Sequence, residues 1–329
     1  MKNFHIIILL LTLTKCAEAS EDNTFYEQLK VGGFSSAAIT LHRDAEAEAA
    51  TNELSLLISW NNLSRLSFFS ELEIERPLAW NDNKRYSREE SKLDIERLYI
   101  DYNLSEKANF RFGRFLTPNS RWNLLRAPPL VWTNSRPLVT SRLFPIATNG
   151  ITLHGAFPFK DVAFEYKLFT ELLEDQQQDN NELQFEHVRG ARFSIKSDSD
   201  VGISLLSFSE RGSFDGASGT SYRMLGIDFV TTLSEIEVSG EMFQRITSKG
   251  KEGGSGAYIQ TAIPIKNNWY WISRLETLNR PNEGSFERWL IGATLRIKPT
   301  QLMKLEFTGG SGDQPDAPRG FTASYALFF

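Results

Sequence analysis

Residues 320–329 read Gly-Phe-Thr-Ala-Ser-Tyr-Ala-Leu-Phe-Phe. In an extended strand successive side chains point to opposite faces, so Phe321, Ala323, Tyr325, Leu327 and Phe329 share one side and Thr322 and Ser324 the other. The same pattern runs upstream. In 285–298, Trp289, Ile291, Ala293, Leu295 and Ile297 oppose Arg288, Gly292, Thr294 and Arg296. Nothing upstream shows apolar residues at i, i+3, i+4 and i+7 behind a capping box, so the chain is read as all-β.

Alternating segments separated by turn residues predict strands at 29–41, 52–60, 65–76, 92–103, 107–116, 148–156, 161–173, 183–197, 200–213, 220–233, 234–248, 254–265, 268–280, 285–298, 301–310 and 320–329, sixteen in all. Connections after even strands are tight: Asn61–Ser64, Leu104–Glu106, Phe157–Lys160, Asp198–Ser199, a direct Leu233/Ser234 junction, Lys266–Asn267 and Pro299–Thr300. Those after odd strands are mostly longer, polar and rich in Gly and Pro. A transmembrane barrel produces this alternation, with short turns at one rim and long loops at the other; a soluble sandwich has no reason to keep it. Trp60, Tyr102, Phe157, Trp269, Tyr270, Trp271 and Phe329 gather at the short-turn rim, as an interfacial girdle requires. The expected fold is therefore a transmembrane antiparallel up-and-down β-barrel, with its apolar face toward lipid.

Composition agrees. The 329 residues are 41% hydrophobic and 12% aromatic, too apolar for disorder, yet no stretch supplies the run of about 18 apolar residues that a spanning helix needs. The single Cys16 leaves no disulfide or redox pair, and four His show no metal-ligand spacing, so no cofactor or metal is expected. Lys2, the apolar run 4–13 and Ala17-Glu18-Ala19 read as a cleaved signal peptide over 1–19, leaving a barrel over 20–329. That mature chain carries a net charge of −6, which argues against nucleic acid as a partner.

The longest connection, 117–148, follows the fifth strand. Loops beyond about 12–15 residues are usually functional or disordered. This one holds Pro118, Pro128, Pro129, Pro137 and Pro145 among Trp122, Leu130, Val131, Trp132 and Val139, a stiff segment expected to pack against something. Residues 107–160 carry Lys107, Arg111, Arg114, Arg121, Arg126, Arg136, Arg142 and Lys160 and no Asp or Glu. A ring of Arg at a constriction selects anions and pairs with carboxylate or phosphate oxygens. The candidate constriction is Arg111, Arg114, Arg121, Arg126, Arg136 and Arg142. The competing reading has these Arg latching the loop onto wall acids such as Glu71, Glu73, Glu75, Asp94 and Glu96.

Thr152 and His154 share a strand face, a pairing that a barrel hydrolase would need but that an ordinary polar lumen also supplies. The acidic runs Asp44–Glu48 and Glu174–Asp179 read as solvated loops, with cation bridging to lipopolysaccharide as the alternative.

The terminal strand ending on Phe329 resembles the signal by which bacterial outer-membrane barrels are recognised for assembly. Tyr102-Asn103-Leu104-Ser105 and Trp60-Asn61-Asn62-Leu63-Ser64 resemble the periplasmic turns of porins, whose third external loop folds into the barrel. Gly113-Arg114-Phe115-Leu116-Thr117-Pro118 with Pro128-Pro129-Leu130-Val131-Trp132 is similar to the phosphate-selective porin O/P type, although residues 108–159 lack that type's lysines. The resemblance implies a Gram-negative outer-membrane porin that passes small anionic or polar solutes. It also implies contact with outer-membrane lipid and lipopolysaccharide, the barrel-assembly machinery as a partner of Phe329, and a homotrimer. The rival readings are a lipid-hydrolase-like barrel enzyme and a non-conducting structural barrel.

Overall fold

Strands that alternate at period two bury one face and offer the other to a second phase, and here the sheet satisfies both by closing on itself. The computed structural model describes residues 24–43, 46–61, 65–81, 84–87, 91–174, 184–211, 219–281, 284–311 and 319–329; the predicted signal segment 1–19 lies outside them, as does most of Glu174–Asp179. After a short helix α1 (Thr24–Gln28), the wall runs through β1 (Leu29–His42), β2 (Glu48–Asn61), β3 (Leu66–Asn81), β4 (Lys92–Ser105) and β5 (Ala108–Leu116). It continues with β6 (Ala147–Phe159), β7 (Val162–Glu171), β8 (Gln184–Lys196), β9 (Ser199–Arg211), β10 (Thr220–Leu233) and β11 (Ile236–Thr247). The last five are β12 (Glu252–Pro264), β13 (Trp269–Arg280), β14 (Gly284–Lys298), β15 (Gln301–Ser311) and β16 (Gly320–Phe328). A four-residue strand, Lys84–Ser87, folds back onto the end of β3 and adds nothing to the spanning wall.

Each strand pairs antiparallel with its neighbour, and β16 returns to β1 from Phe34↔Phe328 to His42↔Gly320. Closure removes the edges that an open sheet would leave unpaired. The Phe329 amide donates to the Gly33 carbonyl and the Gly33 amide to the Phe329 carbonyl, both at 2.9 Å. Gly33 is required there: a Cβ would stand 2.3 Å from the Ser55 carbonyl oxygen and 2.6 Å from the Phe329 ring.

The predicted strands lie within a few residues of the observed ones. β2 and β3 are longer than expected because their ladder continues to Glu48↔Asn81. The direct Leu233/Ser234 junction is instead a two-residue turn with Ser234 at φ 60°, and Lys160, Asn267 and Asn268 also take the positive φ that tight hairpins use. Val31, Leu205, Leu275 and Phe307 are exposed on the outer face, while Thr322, Thr294 and Arg288 are buried inside. One girdle residue is corrected: Tyr270, between Trp269 and Trp271, must by alternation face inward, and its ring packs on Trp132 at 4.7 Å. Tyr102, Phe157, Trp271 and Phe329 stay exposed near the short-turn rim.

Candidate functional site: the barrel interior

The segment between β5 and β6 crosses the interior, and its own composition explains how it is held. It contains no acid, so the amides at its helix starts and turns lack local acceptors, and the far wall supplies them. Helix α2 (Arg121–Leu124) is capped by Ser120, whose Oγ accepts from the Asn123 amide at 3.1 Å. Glu241 of β11 takes the Ser120 hydroxyl and the Trp122 amide, each at 2.6 Å. Glu276 of β13 accepts from the Leu138 amide at the start of helix α3 (Leu138–Arg142) at 2.7 Å. Glu306 of β15 accepts from the Asn134 and Ser135 amides and the Ser135 hydroxyl. Carboxylates at helix N-termini and exposed amides are favourable placements. In return, Lys304 donates to the carbonyls of Pro128 and Thr133, and Arg274 to the Ser135 carbonyl.

The segment also has an apolar seat that alternation did not reveal. Leu138, Val139, Leu143 and Phe144 are buried against Phe208, Met224 and Phe243, all from the inward face of β9–β11. These wall residues belong to the long-loop half of their strands, where inward positions turn from polar to apolar to meet the plug. The usual polarity is reversed at these strand ends, with Phe208 and Met224 turned inward and Ser207 and Arg223 outward, so alternation alone assigns the faces the wrong way round.

The six candidate Arg divide. Arg126 lies against Glu96 at 2.6 Å and Glu73 at 3.3 Å, with 17% of its side chain exposed. Burial alone would loosen its proton, but the two carboxylates more than offset this and hold it tighter than usual. Arg121 reaches Asp200 of β9 at 3.0 Å and keeps a third of its surface. Arg111 grips Asp101 through two bonds, at 2.8 and 2.9 Å, and its guanidinium lies over the Tyr99 ring, 3.7 Å from the centroid. Arg114 donates to Asn149 at 3.4 Å. Arg136 bonds Thr140 at 3.1 Å and Asn123 at 3.3 Å and packs over Trp122, with no carboxylate partner among the described residues. Burial, with Arg126 nearby, lowers its pKa to about 9, so it stays charged at neutral pH. The side chain of Arg142 lies outside the described residues. Of the wall acids named as anchors, Glu73 and Glu96 meet the loop. Glu71 instead pairs with Arg97 of its own wall, and Asp94 accepts from the Ile95 amide.

Exposure locates the water. Three cations of β11 and β13 are sealed, Arg245, Arg274 and Arg280 being 0% exposed, whereas Asp200 of β9 keeps 29% of its side chain exposed. The cations of β4, β5 and the facing loop are not sealed, with Arg97 at 24%, Arg111 at 28% and Arg121 at 33%. Next to this group, the register aligns Asn109, His154, Lys167 and Arg192 across β5–β8, all on the inner face. Arg192 is neutralised by Asp228, and Lys196 lies 2.9 Å from Glu165. Lys167, half-buried, forms no hydrogen bond or ion pair with any described residue. The His154 Nε2 and the Thr152 hydroxyl are buried without partners. Among the described residues no carboxylate bonds His154, and its neighbour in register is a lysine, which is not the arrangement a hydrolytic base requires. Sequence reading missed Lys167 and Arg192 because it looked for charge density along the loop rather than across adjacent strands.

No family model matches the chain. An uncharacterized protein of Aquifex aeolicus (strain VF5) is 33% identical over 104 residues, which is 31% of this chain and 23% of that protein's length. Among solved structures, an anion-selective porin from Comamonas acidovorans superposes with a TM-score of 0.63 at 12% identity, covering 91% of this chain and 98% of that one. Outer-membrane expressed OmpT of Vibrio cholerae gives 0.63 at 9%, covering 92% and 97%. OmpF of Salmonella typhi, in complex with daunomycin, gives 0.59 at 10%, again covering 92% and 97%. At such identities the likeness is one of fold.

Proposed function

From a multi-pass, sixteen-stranded barrel with the fold of Gram-negative outer-membrane porins, we propose a passive channel for small hydrophilic solutes that prefers anions. The observation that carries this reading is the placement of cations without carboxylate partners. Lys167 stands on the wetter wall, and Arg136 projects from the plug, while the acids Glu241, Glu276 and Glu306 are sealed beneath loop amides. In water a unit charge about 7 Å from the ion path contributes roughly 0.6 kcal/mol, about threefold in relative permeability. The preference weakens with salt, since the Debye length falls from about 10 Å at 0.1 M to about 3 Å at 1 M.

The test is the reversal potential of refolded protein across a salt gradient in planar bilayers. Wild type is expected to favour chloride. Lys167→Ala and Arg136→Ala should each reduce that preference about threefold, the first without lowering thermal stability. A cation-selective wild type would overturn the reading. The apolar plug favours one further reading, a barrel whose lumen is closed at rest; absence of conductance steps from correctly inserted protein would decide for it. The signal peptide over 1–19, recognition of the Phe329-terminated strand by assembly machinery and a homotrimeric state complete the proposal. N-terminal sequencing of the exported protein and light scattering of the detergent-extracted protein check the first and the last.

A further inference from the structure

On a lipid-facing wall the outward positions are expected to be apolar, yet one row of this barrel sets two guanidinium groups there. The ladders of β7–β11 align Thr170, Arg189, Ser207, Arg223 and Ile246 side by side. All lie on the face that one step nearer the short-turn rim carries Leu168, Ala191, Leu205 and Leu225. Arg189 sits well inside β8, five residues from Gln184, and Arg223 three from Thr220. Both are exposed, and neither has a hydrogen-bond or ion-pair partner among the described residues. On β1 and β16, across the barrel, the outward face stays apolar to the strand ends, with Leu41 next to last in β1 and Phe321 second in β16. Directly below the two Arg lies an open groove of about 750 Å³, bordered by Gly190, Ala191, Leu205, Leu225 and Gln244.

We propose that Arg189, Ser207 and Arg223 form a phosphate-binding site on the outer wall. It holds the headgroup of an anionic outer-leaflet lipid whose acyl chain occupies the groove. Adjacent strands are about 4.8 Å apart, so the two Arg backbones stand about 10 Å from each other with the Ser207 hydroxyl between them. Two guanidinium forks can close on one phosphate across that span, each donating in pairs to its oxygens. A guanidinium in hydrocarbon without an anion is costly, so a phosphate drawn down to this row satisfies both Arg at once. Apart from Gln244, the groove is apolar where the chain would lie, and it is charged only at its upper end, the polarity of a lipid rather than of a free ion. The site does not depend on what the lumen conducts.

The experiment titrates full-length refolded protein in dodecyl maltoside with bis-phosphorylated lipid A and with the same lipid after dephosphorylation, counting bound lipid by native mass spectrometry. Wild type is expected to bind the phosphorylated lipid at least tenfold more tightly, and Arg189→Gln/Arg223→Gln should abolish the difference. Heat-modifiable migration reports whether the variant is folded, and the two single variants, each expected to lose part of the difference, serve if the double variant is not. Inorganic phosphate should fail to displace the lipid. Equal binding of both lipids, undiminished binding by the folded variants or displacement by phosphate alone would overturn the proposal. So would a change of oligomeric state in the variant, which would assign the row to contact between copies of the chain.

Discussion

A buried guanidinium is defined by its partners, and the candidate Arg of this chain have different ones. Arg126 is clamped between Glu73 and Glu96, so Arg126→Ala leaves two inward carboxylates without their cation. Breaking such a pair typically costs about 3–5 kcal/mol. The variant should melt earlier in detergent, and its channel should fluctuate as the loop loosens. Thermal unfolding followed by heat-modifiable migration, with single-channel noise beside it, checks both. Arg136→Ala removes no carboxylate's partner, so it should lower the melt less than Arg126→Ala, by about 1–3 kcal/mol for the buried Asn123 Oδ1 it leaves unpaired, while altering selectivity. The same logic singles out Glu276, which holds Arg274 at 3.0 Å, Arg288 at 2.6 Å and the Leu138 amide at 2.7 Å. Glu276→Ala would orphan two buried cations and one helix start together. It should be among the most damaging single changes in the lumen, by about 3–5 kcal/mol in the same melt.

At the scale of the element, the inward segment is the least ordinary part of the molecule. A stretch of 117–146 stays irregular inside a protein only if its amides and carbonyls find partners. Here they find them on the walls through Glu241, Glu276, Glu306, Arg274 and Lys304. Its prolines remove amides that would need acceptors: Pro128 opens the 3-10 turn Pro128–Leu130, and Pro137 precedes α3. The apolar side of α3 and the residues after it act as the plug's anchor. Phe144→Ala, which empties a site packed on Phe243 at 5.0 Å, should cost about 3–5 kcal/mol. It should also raise single-channel conductance, because the vacated volume lies in the lumen. Conductance equal to that of wild type would show that ions pass elsewhere. The strands themselves were legible because period two shows in every one of them, whereas the plug's contacts join residues more than a hundred positions apart, such as Ser120 and Glu241.

For the whole molecule, closure is the event on which everything else depends. The last strand must find the first, and the Phe328 ring meets Phe34 edge-on at 6.0 Å while Phe329 bonds Gly33 in both directions. Removing Phe328 and Phe329 should therefore abolish assembly rather than impair conduction, and Gly33→Ala should reproduce part of that loss by putting a Cβ where the Ser55 carbonyl and the Phe329 ring approach. The fraction of heat-modifiable barrel in outer-membrane preparations measures both. Normal insertion of the truncated chain would show that closure does not need its terminal aromatics.

Several properties follow from the order of residues alone. Alternation in segments such as 285–298 dictates strands, the lengths of the connections dictate up-and-down pairing with two unlike rims, and an apolar outward face on sixteen strands dictates a lipid boundary. These are local or periodic facts, and a chain cannot hide them. Which charges meet water is of another kind. Arg126 and Arg136 are ten residues apart in one acid-free segment, yet one is clamped by two carboxylates and the other by none. Lys167 sits beside His154 and Arg192 only because three strands register as they do. Partner choice inside a closed barrel is set by curvature and by how the plug seats, which bring together groups from opposite walls. No spacing in the sequence encodes that distance, so the tertiary structure alone decided which of these cations are paired with carboxylates and which are not.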